Sequence, residues 1–536
     1  MKSIDTYLLD DEAMQRFIVE GYLTLNSEQP RDYHDRMYDQ LEPLEETGPL
    51  GHNNLLPCVP DLRAVLNEPI VVGALTSILG PDYYLHFHRH DHVNYPDGAQ
   101  PLHKDGDNHS HHAIDDLRRY HKTRYVMLFY YPQDTPVEMG PTGIVPRSQY
   151  VTRRAVDKLK KQSDTLKGEI LREILKPMDA EAFQGTNRFQ RYDEMEKEFI
   201  ARYPELVEEI EKTSAPWEEA KIPLVGDAGT VTIVHFDLVH GRYAANLVGK
   251  QRHMVKFLFS RNSEPTEPSW NHRSTEWQGI EQDCQEPIWR NVWSWHLGSE
   301  DTTSSTRSVE DLSQLLLSPE DDIAIGAAYE LGSMESGLDV LWQHFISDDP
   351  EIRSIAAYGI VRAGSGALPR LKEKIETADP ELQLRIVDVI GDIALGASSA
   401  SSALVSLSAS EDVRVRRANF EALGMTTQAA EVLADGVVEA LGNGLDDEDA
   451  IVVRNATFAI SRLGAKACTD SIIDQIDRNL SHWHHHVRGW SIEALQRLGD
   501  PRAMGLALDY LMSARWDPAL KSGDREPTAK TMREVD

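Results

Sequence analysis

Cysteine is scarce in this chain. Its 536 residues hold three, Cys58, Cys284 and Cys468, far apart and without a C-x-x-C pair, which excludes a disulfide framework and a cysteine zinc site and leaves reduced thiols as the expectation. Long apolar runs are missing too. None approaches the roughly 18 residues of a membrane span, so no membrane association is expected. The N-terminal MKSIDTYLLDDEAMQRF carries acidic residues and lacks the apolar centre of a secretory signal, which points to a cytoplasmic location. Basic charge is also in short supply: 55 Lys and Arg stand against 87 Asp and Glu, a net charge of -32. That field repels nucleic acid at long range, and no nucleic-acid partner is expected.

What is present exceeds one ordinary core, so two or more domains are expected from length alone. From about residue 308 to 515 the sequence repeats: IRSIAAYGIVRAG ends at Gly364, VRRANFEALG at Gly424, VRNATFAISRLG at Gly464 and VRGWSIEALQRLG at Gly499, with weaker copies ending at Gly332 and Gly396. Apolar positions recur at helical spacing inside each copy, each copy closes on a glycine suited to a C-cap, and acidic or Asp-Pro stretches precede several. Such a unit cannot bury its own apolar face. Neighbours must stack into an α-solenoid, and the segment resembles HEAT-type repeats.

The preceding region reads as strands: YYLHFHRHDHVNY, TRYVMLFYYP, TVTIVHFDLVH and HMVKFLFS are rich in β-branched and aromatic residues and imply an all-β core. Between Tyr150 and Ile222 the pattern turns helical and highly charged, predicting a helical insertion over about 151–222. The expected organisation is therefore a β domain over 1–297, a linker over 298–308 (GSEDTTSSTRS), a repeat domain over 309–516 and a polar tail over 517–536.

Two histidines and one carboxylate can hold one face of an octahedral iron(II) ion and leave three positions open. On a strand, H-x-D places both side chains on one side. Two such triplets occur, His103-Lys104-Asp105 and His235-Phe236-Asp237. In 230–240 strand alternation puts Val234, Phe236, Leu238 and His240 on one face and His235 and Asp237 on the other. The more apolar face belongs inside, which makes His240 the candidate third ligand and favours the first triplet.

Further motifs fall in a recognisable order. ILGPDYYL precedes HKD, EMGPTGIVPRSQY follows, and PLVGDAGTVTIVHFDLVHG leads to His240-Gly241, then Asn246 and Arg252. The stretch from about 12 to 262 resembles the phytanoyl-CoA dioxygenase family of iron(II)/2-oxoglutarate oxygenases. That resemblance implies a double-stranded β-helix (jelly roll), iron(II) on His103, Asp105 and His240, and a salt bridge from Arg252 to the distal carboxylate of 2-oxoglutarate, for which a planar guanidinium is suited. Two departures stand out. Val248 lies where the family often has a small hydroxyl, and Pro146-Arg147-Ser148-Gln149 replaces P-G-S-H. Asp105 is present, unlike in halogenases that free this position for halide.

The implied function is oxidation of a small organic substrate with 2-oxoglutarate and O2; a protein or carrier-tethered substrate is the second choice, because solenoids commonly bind polypeptides on a concave face, where a protein partner is also expected. The alternative is a catalytically inactive scaffold or protein-binding module. His86, His88, His90 and His92 alternate and predict a polar strand face near the cavity mouth; His109, His111 and His112 beside Asp107 suggest a solvated loop. His482 and His484–His486 are expected to cap a repeat or face solvent. Trp289, Trp293 and Trp295 are expected to pack between the β domain and the first repeat.

Overall fold

β-branched and aromatic residues in the N-terminal half build two antiparallel sheets. The computed structural model describes residues 4–47, 55–91, 100–105, 121–175, 187–280 and 283–513. The larger sheet contains β1 (Tyr22–Asn26), β2 (Tyr84–Asp91), β3 (Tyr125–Tyr131), β5 (Thr230–His235) and β7 (Val255–Ser260), in the order β1-β5-β3-β7-β2. The smaller sheet pairs β4 (Thr142–Ile144) with β6 (His240–Arg242), in the register Ile144 opposite His240.

Alternation decides what each face of the large sheet meets. Val126, Leu128 and Tyr130 of β3, Val231 and Ile233 of β5, and Val255, Phe257 and Phe259 of β7 join one core with Met14, Phe17, Val71, Leu75 and Ile78 from helices Asp11–Glu20 and Pro69–Leu79. A fully buried side chain of this size contributes roughly 1.5–3 kcal/mol. The opposite, inner face carries Met127, Phe129, Tyr131, Thr232, Leu258 and Lys256; it is the face from which the candidate site is built.

Residues 151–222 form a compact unit of their own. Its helices Arg154–Leu175, Asn187–Arg202 and Pro204–Glu219 meet through Ile170, Met195, Phe199 and Leu206.

Beyond residue 308 helices alternate short and long. The long ones, Asp321–Gly332, Pro350–Ala363, Pro380–Ile393, Val413–Thr427, Ala450–Leu463 and His485–Arg497, lie side by side in an array. Asp349, Asp379, Asp412 and Asp449 cap their N-termini by accepting backbone N–H bonds. The terminal glycines do not all act as C-caps. Gly364, Gly464 and Gly499 have positive φ, but Gly424 lies inside its helix, where an added Cβ would come within 2.7 Å of Ala459 Cα, and Gly332 faces the Gly359 carbonyl. Those two positions serve close helix approach instead. At the end of helix Pro380–Ile393 the chain uses Ala394 instead, at φ 59 and ψ -117, two residues before the expected Gly396.

Two sequence expectations change here. The stretch Pro380–Leu407 is helical throughout and has the length and apolar content of a membrane span; Leu384, Ile386, Val387 and Ile390 are buried inside the array, which accounts for the composition. The expected linker is tied down, because buried Asp301 accepts ion pairs from Arg290 and Arg362. Residues 1–150 and 223–536 accordingly belong to one compact unit. Trp289 and Trp293, on helix Glu286–His296, are fully buried in that unit, and the Trp293 indole N–H donates to the Thr275 carbonyl.

The caps generate a stability prediction. Gly464 has φ +55, and an added Cβ would stand 2.9 Å from the Arg497 carbonyl oxygen, so Gly464→Ala should destabilise by about 1–3 kcal/mol. Ala394→Gly relieves the same backbone strain but loses a buried methyl and adds unfolded-state entropy, so its net effect should stay within about 1 kcal/mol. Denaturant unfolding of both variants checks this; equal costs would contradict the assignment of the strain to the cap.

Candidate metal centre

The site begins with a close approach of two backbones. The segment carrying His103 bridges to the start of β6: His103 N–H donates to the His240 carbonyl at 2.8 Å, His240 N–H returns to the His103 carbonyl at 3.0 Å, and Arg242 N–H donates to the Gln100 carbonyl at 3.0 Å. Gly241 permits this. A Cβ there would lie 2.9 Å from the Pro101 carbonyl oxygen and 3.0 Å from that of Gln100. Ser148 supports β6 from the other side, since its hydroxyl donates to the Val145 carbonyl at 2.6 Å and accepts the Val239 N–H at 2.9 Å.

This framework gathers His103, Asp105 and His240, whose potential donor atoms all lie within 4.8 Å of one another. His103 Nε2 stands 3.4 Å, and His240 Nε2 3.7 Å, from Asp105 Oδ1. The rings are 4.4 Å apart, and Phe129 lies 6.0 Å from the His240 ring. Each Nδ1 sits 2.9 Å from a carbonyl two residues earlier, Pro101 for His103 and Leu238 for His240. A carbonyl only accepts, so both Nδ1 atoms carry the proton and both Nε2 atoms present lone pairs toward Asp105.

Burial, then the neighbouring His103, lowers the His240 imidazole to about 4, which keeps it neutral. Burial pushes the Asp105 carboxyl upward, yet the charge of Lys256 and its hydrogen bond outweigh it and hold the group well below the usual carboxylate range. Lys256 Nζ lies 2.8 Å from Asp105 Oδ2. Two neutral imidazoles and one carboxylate are the donor set of a divalent metal, and cis ligands on bonds of about 2.1 Å would be about 3 Å apart. The donor set therefore fits a metal, with the two imidazole Nε2 atoms at 3.4 and 3.7 Å from Asp105 Oδ1 having to draw in toward that spacing.

His235 and Asp237 go elsewhere. β5 ends at His235 and a turn follows, in which the His235 Nδ1 accepts the Asp237 N–H at 3.2 Å. Strand alternation therefore does not run through to His240 as expected. His235 is buried on the other face of the sheet, near Tyr150 and beside Arg261 and Phe458. Arg252 is buried, its Nε donating to the Gly140 carbonyl at 3.2 Å, and its charge is felt by the Tyr131 hydroxyl on the inner face. Asn246 staples the loop before it, donating to the Lys250 carbonyl and accepting the Val248 N–H; the Val248 side chain is half exposed.

In the histidine row the described side chain is that of His86; those of His88 and His90 lie outside the described residues. Register shifts between Leu85 and Arg89, so a bulge breaks the regular alternation, and His86 is buried against His486 and Trp490 of the array rather than at a cavity mouth. His92, Asp107, His109, His111 and His112 lie outside the described residues, as does the tail 517–536. His484 takes the N-cap position of helix His485–Arg497 without a side-chain capping bond; it is buried, and burial followed by the charge of His485 lowers it to about 4. The sequence signal for Lys256 is its place on the same strand face as Arg252, two pairs along, in the mainly apolar VKFLFS.

Gly241→Ala should force the 100–103 segment away from β6 and separate the two imidazoles. Manganese(II) or cobalt(II) affinity should fall ten-fold or more with the far-ultraviolet circular dichroism unchanged. Wild-type affinity in this variant would mean that the close approach is not what assembles the donors.

No family model and no curated protein matches the chain. Solved structures to which it is similar include the non-heme monooxygenase ThoJ as its nickel complex, at 13% identity and TM-score 0.29, covering 49% of this chain and 84% of that one. Others are the non-heme alpha-ketoglutarate-dependent carbocyclase SnoK from nogalamycin biosynthesis, at 15% identity and TM-score 0.29 over 47% of this chain and 85% of that one, and EctD from S. alaskensis in its apoform, at 12% and 0.30 over 50% and 82%. Likeness at these TM-scores is too slight to assign an activity.

Proposed function

We propose that the chain is an iron(II)- and 2-oxoglutarate-dependent oxygenase of the phytanoyl-CoA dioxygenase type, its two sheets forming a double-stranded β-helix and its helical array a HEAT-type solenoid. The observation that carries this reading is the convergence of His103 Nε2, His240 Nε2 and Asp105 Oδ1 with both imidazole tautomers set by backbone carbonyls. Bound iron(II) supplies coupled oxidation of a keto acid and a substrate by O2, chemistry that needs a three-ligand face with open positions opposite.

The chain's own residues do the rest. The carbonyls of Pro101 and Leu238 orient the imidazoles, as outer hydrogen bonds commonly do for metal-binding histidines. Phe129 and Leu258 border the site with apolar surface and exclude water. Arg252 is the proposed clamp for the distal carboxylate of 2-oxoglutarate: it is buried, charged and attached to the inner face next to Tyr131. The substrate is proposed to be a small organic molecule. A protein partner would use the solenoid.

His103→Ala or Asp105→Ala should abolish iron(II) binding, whereas His235→Ala should leave it intact, because His235 faces away from the site. Calorimetric titration of the metal-free protein checks this, and the reverse order of effects would exchange the two H-x-D triplets. Protons compete with metal for the imidazoles. With His240 lowered to about 4, affinity should be retained to lower pH than free histidine near 6.5 would allow.

Arg252→Ala should weaken 2-oxoglutarate binding ten-fold or more, since truncating one partner of a buried charged pair costs roughly 2–5 kcal/mol. Arg252→Lys should fall between, having charge without the fork. Anaerobic titration followed by the charge-transfer absorbance of the chelated keto acid reads this, and unchanged binding would remove Arg252 from the site.

A further inference from the structure

Lys256 is the charged group that this reading leaves unused. It projects from β7 onto the inner face, paired across the sheet with Phe129 of β3 and His90 of β2, and is 7% exposed. Its ammonium carries three N–H donors. One is directed to Asp105 Oδ2 at 2.8 Å, and among the described residues no other group lies within hydrogen-bond distance of Nζ. Among the described residues two donors of this buried cation thus have no acceptor, beside the point where the three metal donors converge.

The charge balance around Asp105 makes those donors consequential. A dry cation is costly unless paired, and in the metal-free protein Asp105 compensates Lys256. With a divalent ion on Oδ1 the same carboxylate must serve both cations. Two positive charges from the ion, one negative from Asp105 and one positive from Lys256 leave a local excess of two. Arg252 does not relieve this excess. It adds a further positive charge four residues earlier, on the order of 13 Å away along extended chain.

We propose that Lys256 is an anion-binding residue of the site, holding Asp105 Oδ2 with one N–H and receiving a ligand carboxylate at the metal end with the others. This rests on the oxygenase reading and deepens it. The carboxylate comes either from the keto acid end next to the metal or from the substrate, which would then itself be a carboxylic acid. The geometry also gives Lys256 a positioning role: by engaging Oδ2 it leaves Oδ1 alone to face the imidazoles.

The test uses the full chain loaded with saturating iron(II) under anaerobic conditions, as wild type, Lys256→Met, Lys256→Gln and Lys256→Arg. In the first arm 2-oxoglutarate is titrated and its charge-transfer absorbance followed. In the second, the keto-acid-saturated protein is titrated with butyrate and, as the uncharged control, butyramide, reading the shift of the same band. If the carboxylate is the keto acid's, Lys256→Met and Lys256→Gln weaken 2-oxoglutarate binding ten-fold or more, by more than they weaken iron(II) binding, and Lys256→Arg restores it to within a few-fold. If it is the substrate's, 2-oxoglutarate binding is unchanged, butyrate but not butyramide shifts the wild-type band, and the neutral variants lose that response. Neutral variants matching wild type in both arms overturn the proposal while leaving the oxygenase reading intact. A wild-type protein that binds neither iron(II) nor 2-oxoglutarate overturns both.

Discussion

A buried carboxylate, Glu264, stands at the centre of the charge cluster that ties the sheets to the helical array. It accepts Arg124 at 2.8 Å, Arg462 at 3.1 Å and the Trp295 indole N–H at 3.1 Å. Arg124 reaches on to Asp392 at 2.6 Å, and the Lys122 ammonium donates to the Asp392 carbonyl. Burial pushes Glu264 upward, but Arg124 and Arg462 outweigh it and keep the carboxylate charged. Buried ion pairs rarely add net stability over apolar packing, yet removing one member costs about 3–5 kcal/mol because the others stay unpaired. Such a cluster therefore specifies one docking arrangement and penalises every alternative.

The placement of that cluster explains why the array does not behave as an appendage. Arg124 immediately precedes β3 and Glu264 follows β7, the neighbouring strands that bring Phe129 and Lys256 to the inner face. Strand ends fixed by charge cannot slide, and a one-residue slip would exchange the inner and outer faces. Around the cluster, His121 stacks on Tyr358 at 4.0 Å, Tyr84 packs edge-on to Trp490 at 5.2 Å, and Arg497 donates to the Asp82 carbonyl. A fragment holding the array alone would expose these aromatic surfaces and leave Arg462 without Glu264. Its apolar core would be continuous, but its charged face would not be satisfied.

The sequence made local chemistry legible and long-range pairing illegible. H-x-D at His103 and Asp105, and a distant His240 before a glycine, could be read because residue type and spacing carry the chemistry. The strand argument for His240 rested on a false premise, since β5 stops at His235 and a turn intervenes; His240 reaches the site through its pairing with His103. Helix repeats were legible as apolar period, but which glycines cap and which touch a neighbour depends on the adjoining helix, as Gly424 against Ala459 illustrates. His86 of β2 misled for a similar reason. A bulge, invisible in an alternating sequence, accompanies the burial of His86 against the array. The segment 298–308 had linker composition, yet Asp301 is held by two arginines that are distant or unremarkable in sequence.

Net charge and local charge need not agree, and here they diverge. The chain as a whole carries -32, but exposed charges act over a Debye length of about 8–10 Å and are screened beyond it. Arg252 and Lys256 are buried, so the field inside the sheets is set by a few near neighbours in a medium that screens poorly. Asp105 illustrates the balance: burial alone would favour its protonated form, and the lysine 2.8 Å away reverses that outcome. An acidic surface and an anion-receptive interior can therefore coexist in one molecule. The surface repels polyanions, which present charge over many ångströms, while a small acid bound as proposed beside Arg252 and Lys256 would meet those cations at contact distance.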